Sequence, residues 1–201
     1  MTTTSDNSMP VALPAKHVPG PRQGQWTYAA YAALPDDGRR YEVMNGVLIM
    51  APAPNLDHQG ASTRLVHYLF QLVESAGLGR VFHAPCDVEL TPERVVQPDV
   101  FVVLNANLRK LAAKKIIGAP DFVIEIISPG TAIYDRLSKY EAYEQVGVPE
   151  YWLVDPEDKS IEVLVLEHGV YQSLGTFQGQ DNIPSRVVPA IAQVHVEQFF
   201  V

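Results

Sequence analysis

Two short stretches set a carboxylate among strand-forming residues: QPDVFVVL carries Asp99, and PDFVIEIISPG carries Glu125. An ionised carboxylate is rarely buried unless it is paired, hydrogen-bonded or bound to a metal. Side chains alternate along a strand, so within VIEII the neighbours Ile124 and Ile126 point away from the face that carries Glu125. The spacing, 125 − 99 = 26 residues, accommodates two neighbouring strands and a connection. If both acids project into one cleft, they form a hard, anionic oxygen site. Such a site suits Mg²⁺ or Mn²⁺, since Mg²⁺ takes one or two carboxylates together with waters and phosphate oxygens. A cation held there would polarise a phosphodiester and make an attacking water more acidic.

The segment after Glu125, TAIYDRLSKYEAYEQVGV, reads as a helix stopped by Gly147 and Pro149. Asp135, Lys139 and Tyr143 recur at a spacing of four and share one face. A lysine reaching the cleft could orient or deprotonate a water, or stabilise charge on a phosphoryl group. The plain alternative for Asp135 and Lys139 is an i,i+4 ion pair. Other acids have plain readings too. Glu42 in RRYEVM could pair with Arg39 or Arg40, and His58 could cap or decorate the start of a helix. Asp121 lies four residues before Glu125 on the same strand, roughly 13 Å away, too far to share one ion. Asp87 and Glu89 alternate with apolar residues, as on an exposed strand face. Tyr140, Tyr143, Tyr151 and Trp152 read as core or cleft wall, and Cys86 as a packing residue. There is no Gly-rich phosphate loop, Cys/His zinc pattern or nucleophile elbow.

The ordered set YEVMNG, the histidine opening the long helix, QPDV, PDFVIEIISP, D-x-x-x-K-Y and GVPEYWLVDP closely resembles the Uma2 family of the PD-(D/E)xK nuclease superfamily, over roughly Trp26 to Tyr171. The resemblance implies a restriction endonuclease-like core and Mg²⁺- or Mn²⁺-dependent hydrolysis of DNA phosphodiesters. It implies Asp99 and Glu125 as metal ligands. The usual motif places lysine two residues after the second acid, where this chain has Ile127. Lys139 on the following helix takes that place. Glu42 joins the catalytic set, with His58, Asp135 and Tyr140 as accessory residues. The alternative is a nuclease-fold regulatory protein that binds metal or nucleic acid without turnover. The acidic charge and Ile127 motivate it.

These residues need a scaffold, and the chain of 201 residues suits one domain. Hydrophobic content of 47% is enough for a core. The net charge of -8 argues against broad sequence-independent binding to nucleic acid but leaves room for a local basic groove. LRKLAAKK, Leu108 to Lys115, reads as a solvated face. A single cysteine excludes an internal disulfide. No signal peptide and no membrane span is evident, so a cytoplasmic protein is expected. Residues 1–24, rich in Thr, Ser, Pro and Gly, are expected to be a disordered tail, with residues 25–201 forming the domain. Within it the pattern predicts a short helix after Thr27, a hairpin about Asn45-Gly46 and a long amphipathic helix in NLDHQGASTRLVHYLFQLVESAGLG, with polar cap-like residues at its start, Leu65, Leu69, Leu72, Val73 and Ala76 at helical spacing, and Gly77 and Gly79 at its end. Several strands, the second helix, three further strands and a closing strand and short helix follow. That order predicts a mixed α/β fold, a central mixed sheet flanked by helices. Double-strand cutting would favour a homodimer with two-fold symmetry.

Overall fold

The computed structural model describes residues 12–128 and 134–200. It begins with a short strand, β1 (Leu13–Pro14), and a single helical turn, α1 (Tyr28–Tyr31), capped by Thr27. Strands β2 (Arg40–Met44) and β3 (Val47–Ala51) form the expected hairpin. Its turn residues Asn45 and Gly46 both have positive φ, 51° and 75°. That two-residue turn matches the natural twist of the strands. Helix α2 (Leu56–Leu69) starts at Asn55, whose side chain accepts a hydrogen bond from the His58 amide. It buries one stripe, His58, Ala61, Leu65 and Leu69, before widening into a looser turn over Phe70–Glu74.

Four strands follow: β4 (Gly79–His83), β5 (Val88–Thr91), β6 (Arg94–Val96) and β7 (Val100–Leu104). A short helical turn, Asn105–Lys110, leads to β8 (Ile116–Ile117) and β9 (Phe122–Ile126). A wide turn over Tyr134–Lys139 enters α3 (Tyr140–Val146). Residues 131–133 of the expected helix lie outside the described residues. Helix α3 stops at Gly147, whose φ of 81° suits glycine. Strands β10 (Glu150–Asp155), β11 (Ser160–Glu167) and β12 (Val170–Gln178) pair in sequence order. The closing segment has two short helical turns, and an isolated bridge between Asn182 and His195 stands where a strand was expected. Among the described residues no helix is long and apolar enough to cross a membrane.

The mixed α/β class holds, with the strands divided between two six-stranded sheets rather than gathered into one. The first runs β1-β3-β2-β6-β5-β8 and the second β12-β11-β10-β9-β7-β4. Each contains one parallel pair, β5 with β8 and β9 with β10. The chain crosses between the sheets at Gln97-Pro98-Asp99, between β6 and β7.

Alternation along β7 and β9 separates two cores. Val100, Val102, Phe122, Ile124 and Ile126 pack with α2 and the closing segment. Phe101, Val103, Val123 and Ile127 pack with α3 and residues of the first sheet. Asp99 and Glu125 have the odd positions, so they lie on the second face, toward α3 and the first sheet.

The segment from residue 12 to 24 is placed against the first sheet, so the expected boundary at residue 24 falls too late. Leu13 and Pro14 pair with Met50 and Ile49. The Gln23 side chain bonds both the amide and the carbonyl of Leu48. The amides of Gly24 and Trp26 both donate to Gly46 O, at 2.8 and 2.9 Å. Low hydrophobicity misled here because backbone and amide hydrogen bonds, rather than apolar burial, hold this strap. Trp26 then seals a small core with Tyr41, Val43, Leu48 and Val95.

A Cβ at Gly46 would meet Gly24 O at 2.6 Å and would sit at positive φ. Gly46→Ala is therefore expected to destabilise the protein by about 2 kcal/mol, read as a lower urea midpoint with an unchanged slope.

Candidate active site

Four separate segments deliver charged side chains to one cleft. Glu42 comes from β2 in the first sheet, Asp99 from the crossover and Glu125 from β9 in the second sheet. Asp135 and Lys139 come from the wide turn before α3. The antiparallel register of β7 and β9 pairs Val100 with Ile124. One residue further along that register, Asp99 stands across from Glu125. Cross-strand neighbours have Cβ atoms about 5 Å apart, close enough for two carboxylates to share one ion.

Lys139 sits at the centre of this cluster. Its Nζ lies 2.9 Å from Glu125 Oε1, 3.2 Å from Glu42 Oε1 and 3.4 Å from Asp135 Oδ1. All four residues are buried, with Glu125 only 1% exposed. Burial alone would lower the Lys139 pKa, but the charges of Glu125, Glu42 and Asp135 raise it well above the usual lysine range. The ammonium therefore keeps its proton at neutral pH, so in this arrangement Lys139 is a fixed cation and not a base.

The acids are held from outside the cleft. Asp99 Oδ2 accepts from the Ile126 amide at 2.8 Å and lies 3.1 Å from His58 Nε2. Burial pushes its carboxyl up, but the His58 hydrogen bond and charge, Lys139 and the Ile126 amide outweigh that and hold it below the usual range. Glu125 Oε1 accepts from Tyr143 OH at 2.6 Å as well as from Lys139. Burial drives the Glu125 carboxyl well up; Lys139 opposes the rise, while Asp99, Asp135 and Glu42 add to it. Glu42 Oε1 accepts from the Gln97 amide at 2.8 Å.

Four carboxylates thus face one lysine. Every bond described for Asp99 falls on Oδ2 and every one for Glu125 falls on Oε1. Asp99 Oδ1 and Glu125 Oε2 take part in none of them, and both residues line the cleft. Hard oxygen donors, an excess of acids over the one lysine and a space of about 40 Å³ fit a small divalent cation with water. Among the described residues no group of three or more His, Cys, Asp or Glu side chains forms a ready-made metal cage. A cation here would complete its shell from water and substrate.

Of the residues singled out in the sequence, Glu42, His58, Asp99, Glu125, Asp135 and Lys139 all line the cleft. Tyr140 does not. It follows Lys139 by one residue, about 100° around the helix, and packs edge-on against Tyr171 at 5.2 Å. Tyr134 occupies the cleft instead, with Lys139 Nζ 5.5 Å from its ring centroid. Its hydroxyl and His58 Nδ1 are buried with no hydrogen-bond partner among the described residues. Tyr134 was missed because the wide turn, with its i→i+5 character, brings positions five apart onto one face, which a 3.6-residue period does not detect. Gln97 was also missed, although it adjoins the Pro-Asp dipeptide. Its amide orients Glu42, and its side chain bonds Tyr31, Asp87 and Arg40.

Buried acids elsewhere are structural. Asp121 accepts from the Leu104 amide and Asn107 Nδ2. Glu150 accepts from Trp152 Nε1 and the amides of Arg186 and Val187, pinning the closing segment. Asp87 is engaged by Tyr31 and Gln97 rather than exposed, and Glu89 pairs with Lys115.

The sequence profile of the Uma2 family, described as "Putative restriction endonuclease", matches residues 28–197. A solved structure from Anabaena variabilis ATCC 29413, described as "a putative nuclease belonging to DUF820", is similar in fold with a TM-score of 0.70 at 21% identity. The similarity covers 87% of this chain and 97% of that one. No curated protein matches the chain.

Two predictions follow from the charge balance. Lys139→Met removes the cation from a buried cluster and is expected to cost about 3–5 kcal/mol in urea unfolding, part of it recovered in the Lys139→Met/Glu125→Gln double variant. Substituting this lysine is therefore not a fold-neutral test of activity. Glu125→Gln keeps the shape and removes a charge. Because the folded protein holds the Glu125 proton more tightly than the unfolded chain, ionisation costs wild-type stability as pH rises from the unfolded value towards the folded one. Without divalent cations, the stability difference should be small near pH 4 and shift in favour of Glu125→Gln towards pH 8. A difference independent of pH would contradict the assigned charge state.

Proposed function

Because the chain belongs to the Uma2 family, we propose that it is a divalent-cation-dependent endonuclease that hydrolyses DNA phosphodiester bonds. The single observation that carries this reading is the cross-strand pair Asp99 and Glu125, two cleft-lining acids each anchored through one oxygen, with the other outside the bonds formed among the described residues. Mg²⁺ or Mn²⁺ would be held by those two acids, and when bound it supplies Lewis-acid polarisation of the phosphodiester and a more acidic water.

The other roles belong to the chain itself. His58 Nε2 and the Ile126 amide fix the Asp99 carboxylate, and Tyr143 OH fixes Glu125. Lys139 places a permanent positive charge where a phosphoryl group gains negative charge, so it stabilises the transition state electrostatically. Glu42 and Asp135 hold the ammonium in place from the first sheet and from the wide turn. Ile127, at the position usually given to lysine, is buried in the core at 6% exposure, and Lys139 supplies that charge from the following segment.

The test is titration calorimetry of Mn²⁺ and Mg²⁺ into wild type, Asp99→Asn and Glu125→Gln, with plasmid nicking by the same samples. The expected result is binding and nicking by wild type and a loss of both, at least 100-fold in rate, in each variant. Binding without nicking of any DNA would favour the non-catalytic metal-binding role. Nicking by Asp99→Asn at the wild-type rate would overturn the site.

A further inference from the structure

Arg40 opens β2 two residues before Glu42, so both side chains share a strand face, about 7 Å apart along it. Arg40 lines the cleft. It is clamped by neutral acceptors: Nε donates to Gln97 Oε1 at 3.1 Å and Nη2 to Gln97 O at 3.3 Å. Gln97 is itself buried and locked by Tyr31 and Asp87. Among the described residues Arg40 has no carboxylate within ion-pair distance, and Glu42 is turned to Lys139 and the Gln97 amide instead. Lys139 is occupied by three acids. Arg40 is thus a pre-oriented positive charge on the cleft wall, without an ion-pair partner among the described residues and with Nη1 outside both described bonds.

The space around it has a direction. The cleft, at about 40 Å³, is too small for a nucleotide. It adjoins a recess of about 510 Å³ through shared walls at Arg40 and Gln97. That recess shares the walls Tyr31, Pro85, Asp87, Gln97 and Lys114 with another of about 480 Å³. Lys114 is exposed and, among the described residues, also lacks a carboxylate at ion-pair distance.

We infer that Arg40 grips a backbone phosphate next to the one being cut, and that the nucleic-acid strand leaves the cleft along the recess past Gln97 towards Lys114. This rests on the endonuclease reading. Arginine suits the task because its planar fork offers donors to a phosphate while Gln97 holds the opposite edge. The narrow cleft admits the phosphoryl group, and the wider recess takes the sugar and base that follow it.

The test is fluorescence anisotropy with end-labelled single-stranded and duplex DNA across a salt series. Wild type is measured in EDTA and Glu125→Gln in Mg²⁺, so the probe stays intact. Arg40→Ala is expected to weaken binding about tenfold and to lower the slope of log Kd against log salt by about one. Lys114→Ala should lower the slope by a smaller amount. Arg40→Lys should keep the slope and lose only part of the affinity. If Arg40→Ala unfolds in a thermal melt, Arg40→Gln gives the same slope reading. A merely structural Arg40 would change the melt and leave the slope alone. Wild-type slope in Arg40→Ala or Arg40→Gln, in a protein that binds and nicks DNA, overturns this inference and spares the endonuclease reading. A wild type that neither binds nor nicks any probe overturns both.

Discussion

The ammonium of Lys139 is the contact on which the cleft depends. Glu42, Glu125 and Asp135 converge on it from two sheets and a wide turn, each within 3.4 Å. Three carboxylates at that distance in a buried setting would repel one another strongly. The lysine makes their approach tolerable without neutralising all of it, because Asp99 adds a fourth acid to the same space. The acids left without a cation make the cleft less stable than an uncharged one would be. Charge gathered in one buried cleft is kept at a cost in stability.

The architecture makes that convergence possible. A strand pair alone could set Asp99 across from Glu125, since β7 and β9 are antiparallel neighbours in the second sheet. Glu42 belongs to the other sheet, and it is brought in by the crossover at Gln97-Pro98-Asp99. The crossover also does the fine positioning. The Gln97 amide holds Glu42, and the Gln97 side chain holds Arg40. The next residue but one is Asp99 itself. Helix α2 adds His58 through its first turn, where Asn55 caps the backbone and Asp99 receives the imidazole.

Much of the site was legible in the sequence because it rests on local periodicity. Odd and even positions in VIEII decide which face Glu125 takes, and the four-residue spacing of Asp135, Lys139 and Tyr143 places them together. The same reasoning separated Asp121 from the site, and Asn45-Gly46 announced its own turn. Where periodicity changed, the reading failed. The wide turn over Tyr134–Lys139 substituted Tyr134 for Tyr140. The strap at residues 12–24 is held by hydrogen bonds to Leu48 and Gly46, and no apolar pattern signals it.

The sequence by itself determined the types of chemistry on offer. Paired acids on apolar strands, a lysine one helix later and the order of these motifs specify a charged cleft in a mixed α/β domain. Tertiary structure alone decided the partners. The division into two sheets, the protonated state of Lys139, the clamp of Gln97 on Arg40 and the burial of His58 against Asp99 all arise between residues 14 to 97 positions apart in the chain. Strand alternation and helix period state which face a side chain takes, but not what the face meets. Pairing across that distance depends on which sheets pack together, and so do the desolvation and charge that tune the site.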